Sequence, residues 1–435
     1  MTPQQRLATR EFFGLKLGLD AIAALVAALD HPERAFLPVI VAGTNGKGSV
    51  TAMVARALRA AGVRTGRYTS PHLVHLRERF AIDDIDVSDA QLDAALQRVF
   101  DAEDRLLASG QLTAPTTYFE LTTACAFVLF EQARVEVAVL EVGLGGRLDA
   151  TNVVQAPLAA ITSIDIDHVA QLGDTLAQIA AEKAGVIMPG ATVVSGVVGP
   201  EAAAVIATVA ARQQARLLRA GDDVHIDADH RDGETRVVMT TPRRTYGPVT
   251  LALRGEHQVA NAVVAVRLLE VLEERGIGGG GEAIAAGLAD ARWPGRLERR
   301  LLQNGLPLVL DGAHNRAGAL ALAAWLRASG FAPATLVTAC MRDKDVDALL
   351  GPLLPLASRV VATTLDFPRA LPAADLAAAV MALAPGVPVQ VAATPAAAMV
   401  AASEGSVRVV VAGSLFLVGT VRAWLDRDAG ARDPA

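Results

Sequence analysis

Aromatic residues are scarce in this chain: only 4% of its 435 positions are Phe, Tyr or Trp. The apolar share is still 52%, carried mostly by Ala, Val and Leu, so large cores can be buried without large rings. Cysteine is nearly missing. Cys125 and Cys340 lie in apolar surroundings and read as buried core thiols, not as a disulfide or metal pair, which fits a reducing cytoplasm. Basic charge is not in excess either. The formal net charge of −6 disfavours non-specific binding to nucleic acid or anionic membranes. No stretch reaches the ~18 consecutive apolar residues of a membrane span, and the opening MTPQQRLATREFFGLKLGLD has no apolar h-region of a signal peptide. A soluble, cytoplasmic protein is expected. Its length exceeds one ordinary core, so two or three domains are expected.

What is present is an α/β rhythm. EVAVLEVG (136–143), LAAITSI (158–164) and ATVVSGVV (191–198) read as buried strands, with TYFELTTACAFVLFEQA and TLAQIAAEKAGVI as intervening helices. That alternation predicts βαβ units on a doubly wound, mostly parallel sheet. From Ala215 to Leu253 the texture changes to polar–apolar alternation around Asp-Gly and Tyr-Gly turns, which predicts a small antiparallel β segment. GIGGGGEAI (276–284) reads as a flexible loop, and ARWPGRLERR (291–300) as a boundary. Beyond it, LPLVLDGAHN, ATLVTAC, RVVATTLDF, VPVQVAAT and VRVVVAGS are five strand candidates of a smaller Rossmann-like α/β domain. The expected division is 1–295 and 296–435, with a polar tail, DRDAGARDPA, that should fray.

The chemistry starts at VIVAGTNGKGS. A strand-like run feeds a Gly-rich turn, and Val50, Met53, Val54 and Leu58 then recur at helical spacing. Such a loop suits phosphate: glycines let N–H groups approach oxygens, and the helix N-terminus adds partial positive charge. The spacing departs from the familiar phosphate loop, since Val41 stands six before Lys47 and Gly48 follows it. Gly43, Thr44, Asn45, Gly46, Lys47, Gly48 and Ser49 therefore form a shortened loop. Lys47 can neutralise terminal phosphates, and Ser49 can reach a magnesium ion. Glu141 ends a strand, where a carboxylate can hold a metal or simply cap the strand. Asp165, Asp167 and His168 follow another strand at the same sheet edge, where ligands of such folds bind. Ser70, His72, His75, Arg77, Glu78 and Arg79 sit in TSPHLVHLRERF, whose chemistry alone is ambiguous. Lys183 interrupts an apolar helix and, on the residues alone, reads as a snorkelling lysine. His257, Gln258 and Asn261 open a helix, Arg296 sits at the boundary, and Asp311, His314 and Asn315 end a strand of the second half.

Ten stretches in order carry a resemblance: GTNGKGS, TSPHL, YFELTTACAF, EVGLGGRLDATN, SIDIDHVAQLGDT, IAAEKAGVI, GEHQVANA, WPGRLE, DGAHN and GSLFLVG. Together they resemble the folylpolyglutamate synthase/dihydrofolate synthase family within the Mur-type ATP-dependent ligases, over nearly the whole chain. The shortened loop, with Ser49 two places after Lys47, is how that group writes its phosphate loop. The resemblance implies that Ser49, Ser70, Glu141 and His168 are magnesium ligands, with two ions, and that Lys183 is carbamylated and ligates as well. It implies that Asn261, Arg296 and Asp311 hold ATP, that Lys47, Lys183 and His314 are catalytic, and that Phe119, Glu120, Asp149 and Ala150 bind the pteridine end of the substrate. One departure stands out: AIDDIDVSDA replaces the family's Gly-containing turn, so no role is carried onto Asp83 or Asp84.

The implied reaction is amide formation, in which ATP phosphorylates a carboxylate and the amine of L-glutamate attacks the acyl phosphate. LGGRLDATN resembles the bifunctional bacterial version, which adds glutamate to dihydropteroate and to reduced folates. A single-function folylpolyglutamate synthase is the alternative. A Mur-type peptidoglycan ligase fits less well, because about 40 residues precede Gly43 and a separate domain needs roughly 50. A nucleotide switch would ignore glutamate, and intact Lys47, Ser49, Glu141, His168, Lys183 and Asp311 argue against an inactive paralogue. The partners expected are these small molecules, with no nucleic acid or membrane, and the resemblance implies a monomer.

Overall fold

A computed structural model describes residues 1–10 and 18–427. The first half is built on an eight-stranded sheet: β1 (Leu37–Ala42), β2 (Thr65–Tyr68), β3 (Phe80–Ile82), β4 (Ile85–Asp86), β5 (Val137–Glu141), β6 (Leu158–Ile161), β7 (Thr192–Ser195) and β8 (Arg216–Arg219). Their order is β4-β3-β2-β5-β1-β6-β7-β8. All neighbours are parallel except the β2–β3 and β3–β4 pairs. The central strands are continuous apolar runs because helices cover both faces: Val39, Ile40, Val41, Val139 and Leu140 are all fully buried. Two cores result, one on each face of the sheet.

The antiparallel segment is present but shorter than expected. Only β9 (His225–Arg231), β10 (Glu234–Thr240) and β11 (Thr245–Thr250) form it, as a three-stranded sheet. β8, read with that segment from sequence, instead pairs in parallel with β7. Arg216 and Arg219 bracket only two apolar residues at the sheet edge, so this short strand reads like the polar segment that follows it. The glycine run is also corrected. A helix spans Gly280–Asp290, and a Cβ on Gly279 would stand 2.7 Å from that of Ala61. Those glycines permit close packing against the helix that follows β1, where a flexible linker was expected.

The second half carries β12 (Glu298–Leu301), β13 (Pro307–Leu310), β14 (Ala334–Thr338), β15 (Ala357–Ala362), β16 (Val389–Val391) and β17 (Val409–Ala412), in the order β12-β13-β17-β14-β15-β16. The five expected strands are the parallel ones. β12 is an antiparallel edge strand whose Glu298, Arg299 and Arg300 disguised it as a boundary loop. Cys125 and Cys340 are buried and free. Among the described residues no helix is long and apolar enough to cross a membrane. Of the tail expected to fray, Asp426 and Arg427 instead end the helix Leu415–Arg427, and 428–435 lie outside the described residues.

The family-departing turn at Asp83-Asp84 has a local explanation. It joins β3 to β4 with both residues left-handed, φ 51° and 61°, the backbone that two-residue hairpins require. Asp83 compensates by accepting the Thr65 N–H at 2.9 Å.

Candidate active site

One cleft of about 390 Å³ gathers the carboxyl ends of β1, β5, β6 and β13. Its lining includes the whole Gly43–Ser49 loop, Ser70, Glu141, His168, Lys183, Asn261, Arg296, Asp311 and His314. The two halves of the chain therefore face each other across it, as expected for ligands bound off strand ends.

The loop after β1 is held open by its neighbours. Thr44 N–H donates to the Ser163 carbonyl at 2.7 Å, Asn45 N–H to Ser163 Oγ at 3.0 Å, and Thr162 Oγ1 to the Asn45 carbonyl at 2.6 Å. The polar stretch after β6 is thus a staple for the phosphate loop. Gly46 has φ 85°, and a Cβ there would come within 2.2 Å of Asn261 Oδ1. A Cβ on Gly48 would stand 2.3 Å from the Trp293 ring. The unusual Gly after Lys47 therefore has a packing cause: the indole lies against the loop.

Two cations meet at one carbonyl. Lys47 Nζ donates to the Gly43 and Thr44 carbonyls at 3.0 and 3.1 Å, and Lys183 Nζ donates to Gly43 at 2.9 Å. Burial, with the Lys47 charge beside it, pushes the Lys183 amine down to about 7. Lys183 is 5% exposed, so the snorkelling reading fails. Its helix aims it inward. Glu141 is also buried, and burial raises its carboxyl; the Ser70 N–H donates to it at 3.3 Å. His168 is exposed at the cleft edge with φ 53°. Among the described residues, no three His, Cys, Asp or Glu side chains gather where they could hold a metal ion.

From the other wall, Asp311 accepts the Leu297 and Ala313 N–H groups at 2.8 and 2.9 Å. It thereby ties the turn carrying Arg296 to the end of β13. His314 Nδ1 bonds the Gly312 carbonyl at 2.8 Å, and burial lowers the ring to about 4. A neutral ring donating from Nδ1 leaves Nε2 as an acceptor.

Phe119, Glu120, Asp149 and Ala150 do not join this lining. The Phe119 ring packs behind Gly143, where a Cβ would meet it at 2.6 Å. Glu120 closes a capping box, accepting Thr117 N–H and Oγ1 at 2.7 Å each. Asp149 accepts from Leu144 N–H, Thr151 N–H and Thr151 Oγ1 at 2.9, 3.0 and 2.6 Å, and Ala150 is 4% exposed. The sequence reading gave no role to Trp293 or Lys344, and none to Asp167 beyond its place at the sheet edge. Lys344 Nζ donates to Asp167 at 2.7 Å. Its signal was available: charged MRDKD follows β14 at the same sheet edge as DGAHN.

The Mur ligase middle domain profile matches residues 41–269, and that of the dihydrofolate synthetase C-terminal domain matches residues 296–425. The dihydrofolate synthase/folylpolyglutamate synthase of Bacillus subtilis is 37% identical over 84% of this chain and 85% of its own length. The structure of Mycobacterium tuberculosis folylpolyglutamate synthase complexed with ADP superposes with a TM-score of 0.90 at 35% identity, covering 99% of this chain and 98% of that one. E. coli FolC in complex with DHPP and ADP gives 0.86 at 29% identity, covering 99% of each chain. By matched profiles, sequence identity and superposition, the chain belongs to the dihydrofolate synthase/folylpolyglutamate synthase family of ATP-dependent, Mur-type ligases.

Proposed function

We propose that this chain joins L-glutamate to dihydropteroate and to reduced folates, using ATP to form an acyl phosphate that the glutamate amine then attacks. The observation that carries the reading is the convergence of the phosphate loop, Lys183, Glu141, Arg296 and His314 on one cleft. Residues 1–295 and 296–435 act as two domains, and one chain supplies every group, so a monomer suffices. Gly43–Ser49, Asn261, Arg296 and Asp311 hold ATP. Lys47 and Arg296 meet the charge on the phosphoryl group in transit, which is most of what such a transfer asks of a protein.

Two magnesium ions would draw their ligands from hydroxyls and a carbamate as well as from carboxylates, since among the described residues too few acidic and imidazole groups gather here to hold them alone. Glu141 is a buried carboxylate, and Ser49 and Ser70 add hydroxyl oxygens of the type such an ion takes, with His168 at the cleft edge as a nitrogen donor. Bound there, magnesium would supply positive charge to the phosphate oxygens. A Lys183 amine held near neutrality can attack CO₂: a nitrogen–carbon bond forms, a proton leaves, and an anionic carbamate replaces the cation. Phe119, Glu120, Asp149 and Ala150 build the wall for the pteridine end behind Gly143, the two carboxylates fixing loop backbones instead of presenting free charge. His314, a neutral ring whose Nε2 stands 3.8 Å from Asp167 Oδ2, lines the cleft beside the phosphate loop and would sit near the phosphates of bound ATP.

Phosphate release and product mass would be measured with Mg-ATP, glutamate and either dihydropteroate or tetrahydrofolate. Turnover with both acceptors is expected. Turnover with tetrahydrofolate alone would reduce the activity to a polyglutamate synthase, and turnover with neither would sink the folate reading.

A further inference from the structure

Across the mouth of the cleft, three hydrogen-bond donors from different segments converge on the Asp167 carboxylate. Lys344, in the loop after β14, donates to Oδ1 at 2.7 Å. Asn315 Nδ2 donates to Oδ2 at 3.0 Å and also to Asn45 Oδ1 of the phosphate loop at 3.1 Å. The third is the N–H of His168, which donates to Oδ1 at 2.9 Å. Asn315 is itself oriented, because its Oδ1 accepts the Gly318 N–H at 2.9 Å as the cap of helix Arg316–Ala328.

The position of His168 is what makes the convergence informative. Its φ of 53° is left-handed, a backbone that a non-glycine residue keeps only where its surroundings hold it. Part of the hold is local, since the Gln171 and Leu172 N–H groups donate to the His168 carbonyl at 2.9 and 3.0 Å; the rest reaches it through Asp167 from the opposite half of the molecule, by an ion pair with Lys344 whose side chains are 18% and 8% exposed. A pair this sheltered is weakly screened by salt. Withdrawing both charges from water offsets most of the Coulomb gain, so its use is positional.

We propose that Lys344 and Asn315, acting through Asp167, are positioning residues that set His168 for metal binding, so the metal site is complete only when the second half is docked. The proposal rests on the ATP-ligase reading above. It makes docking and metal affinity one event: an open molecule holds nucleotide with a poor metal site and does not spend it.

The test is Mn²⁺ binding to the full-length protein with a non-hydrolysable ATP analogue, read by calorimetry without turnover. Lys344→Met should weaken Mn²⁺ on the order of 10- to 100-fold, the range for residues that orient a ligand from behind. Lys344→Arg should recover most of that loss. Asn315→Ala should weaken it too, and serves if Lys344→Met melts before it can be measured. Lys344→Met and Asp167→Asn combined should cost no more than the worse single change, since both cut one tie. Unchanged Mn²⁺ affinity in folded Lys344→Met and Asn315→Ala would overturn the proposal, even if their ligase activity fell. A shift in Mn²⁺ affinity in a wild-type background that adds no glutamate would keep the tie and remove the folate reading instead.

Discussion

Gly48 is where a single missing methyl group does the most. The Trp293 ring occupies the space a side chain would need, with a contact of 2.3 Å for the first added carbon. Ring and loop backbone cannot both stay, and such overpacking costs about 1–3 kcal/mol. If the strain falls on the loop, Gly48→Ala should weaken ATP roughly 5- to 150-fold with little change in thermal stability. Trp293→Leu in the same chain should return part of the affinity. Isotherms for both variants decide it, and a Gly48→Ala protein with wild-type affinity would mean that the indole is free to swing away. The same residue shows how far sequence could go. GTNGKGS announced a phosphate loop, but the reason for its second lysine-flanking glycine sits 245 positions downstream in Trp293, and no local pattern records it. Lys183 is the converse case: its helix reads as ordinary, and only burial at 5% exposure reveals the inward-facing amine.

Among the elements, strands were the most legible, because each central one is an unbroken apolar run such as Val137–Leu140 with a polar residue at its end. What escaped were elements whose composition serves an edge or a contact. β12 carries charges because it closes a sheet margin, and β8 begins and ends in arginine because it lies at the edge of the other sheet. The helix Gly280–Asp290 carries glycines because it lies so close to Lys47–Ala60. At Gly287 a Cβ would stand 2.5 Å from that of Ala57 and 2.8 Å from its Cα. Two helix backbones in contact have nowhere to move, so Gly287→Val should cost about 1–3 kcal/mol, seen as a lower urea midpoint with unchanged slope. A midpoint equal to wild type would show that the two helices can part. Glu120 and Asp149 were named from sequence, but not the state of their charge: they look like free carboxylates there, while folding spends both on backbone N–H groups.

The whole molecule stores an acid sensitivity in its histidines. Burial holds His72, His257 and His314 down to about 4, with Arg79 adding to the effect at His72 and Arg296 at His257. Arg79 Nε donates to His72 Nδ1 at 2.9 Å, a bond that a protonated ring cannot accept. The unfolded chain takes up these protons near 6.5 and the folded one near 4, so between those values the unfolded state binds more protons. Stability therefore falls as pH drops from about 6.5 towards about 4, and this contribution levels off below. Calorimetric melting across that range should show the loss, with His72→Gln flattening its slope. An equal slope in that variant would place the sensitivity elsewhere.

Trp293 has one more property. The chain has three tryptophans; Trp325 donates its indole N–H to Gly233, and Trp424 packs against the core of the second half. Only Trp293 lies against the phosphate loop, with the Arg67 guanidinium 5.3 Å from its ring centroid. Its emission should shift or quench when nucleotide settles in that loop, while the other two stay constant. The protein thus carries an intrinsic optical gauge of its own loading, readable in a cuvette without a label.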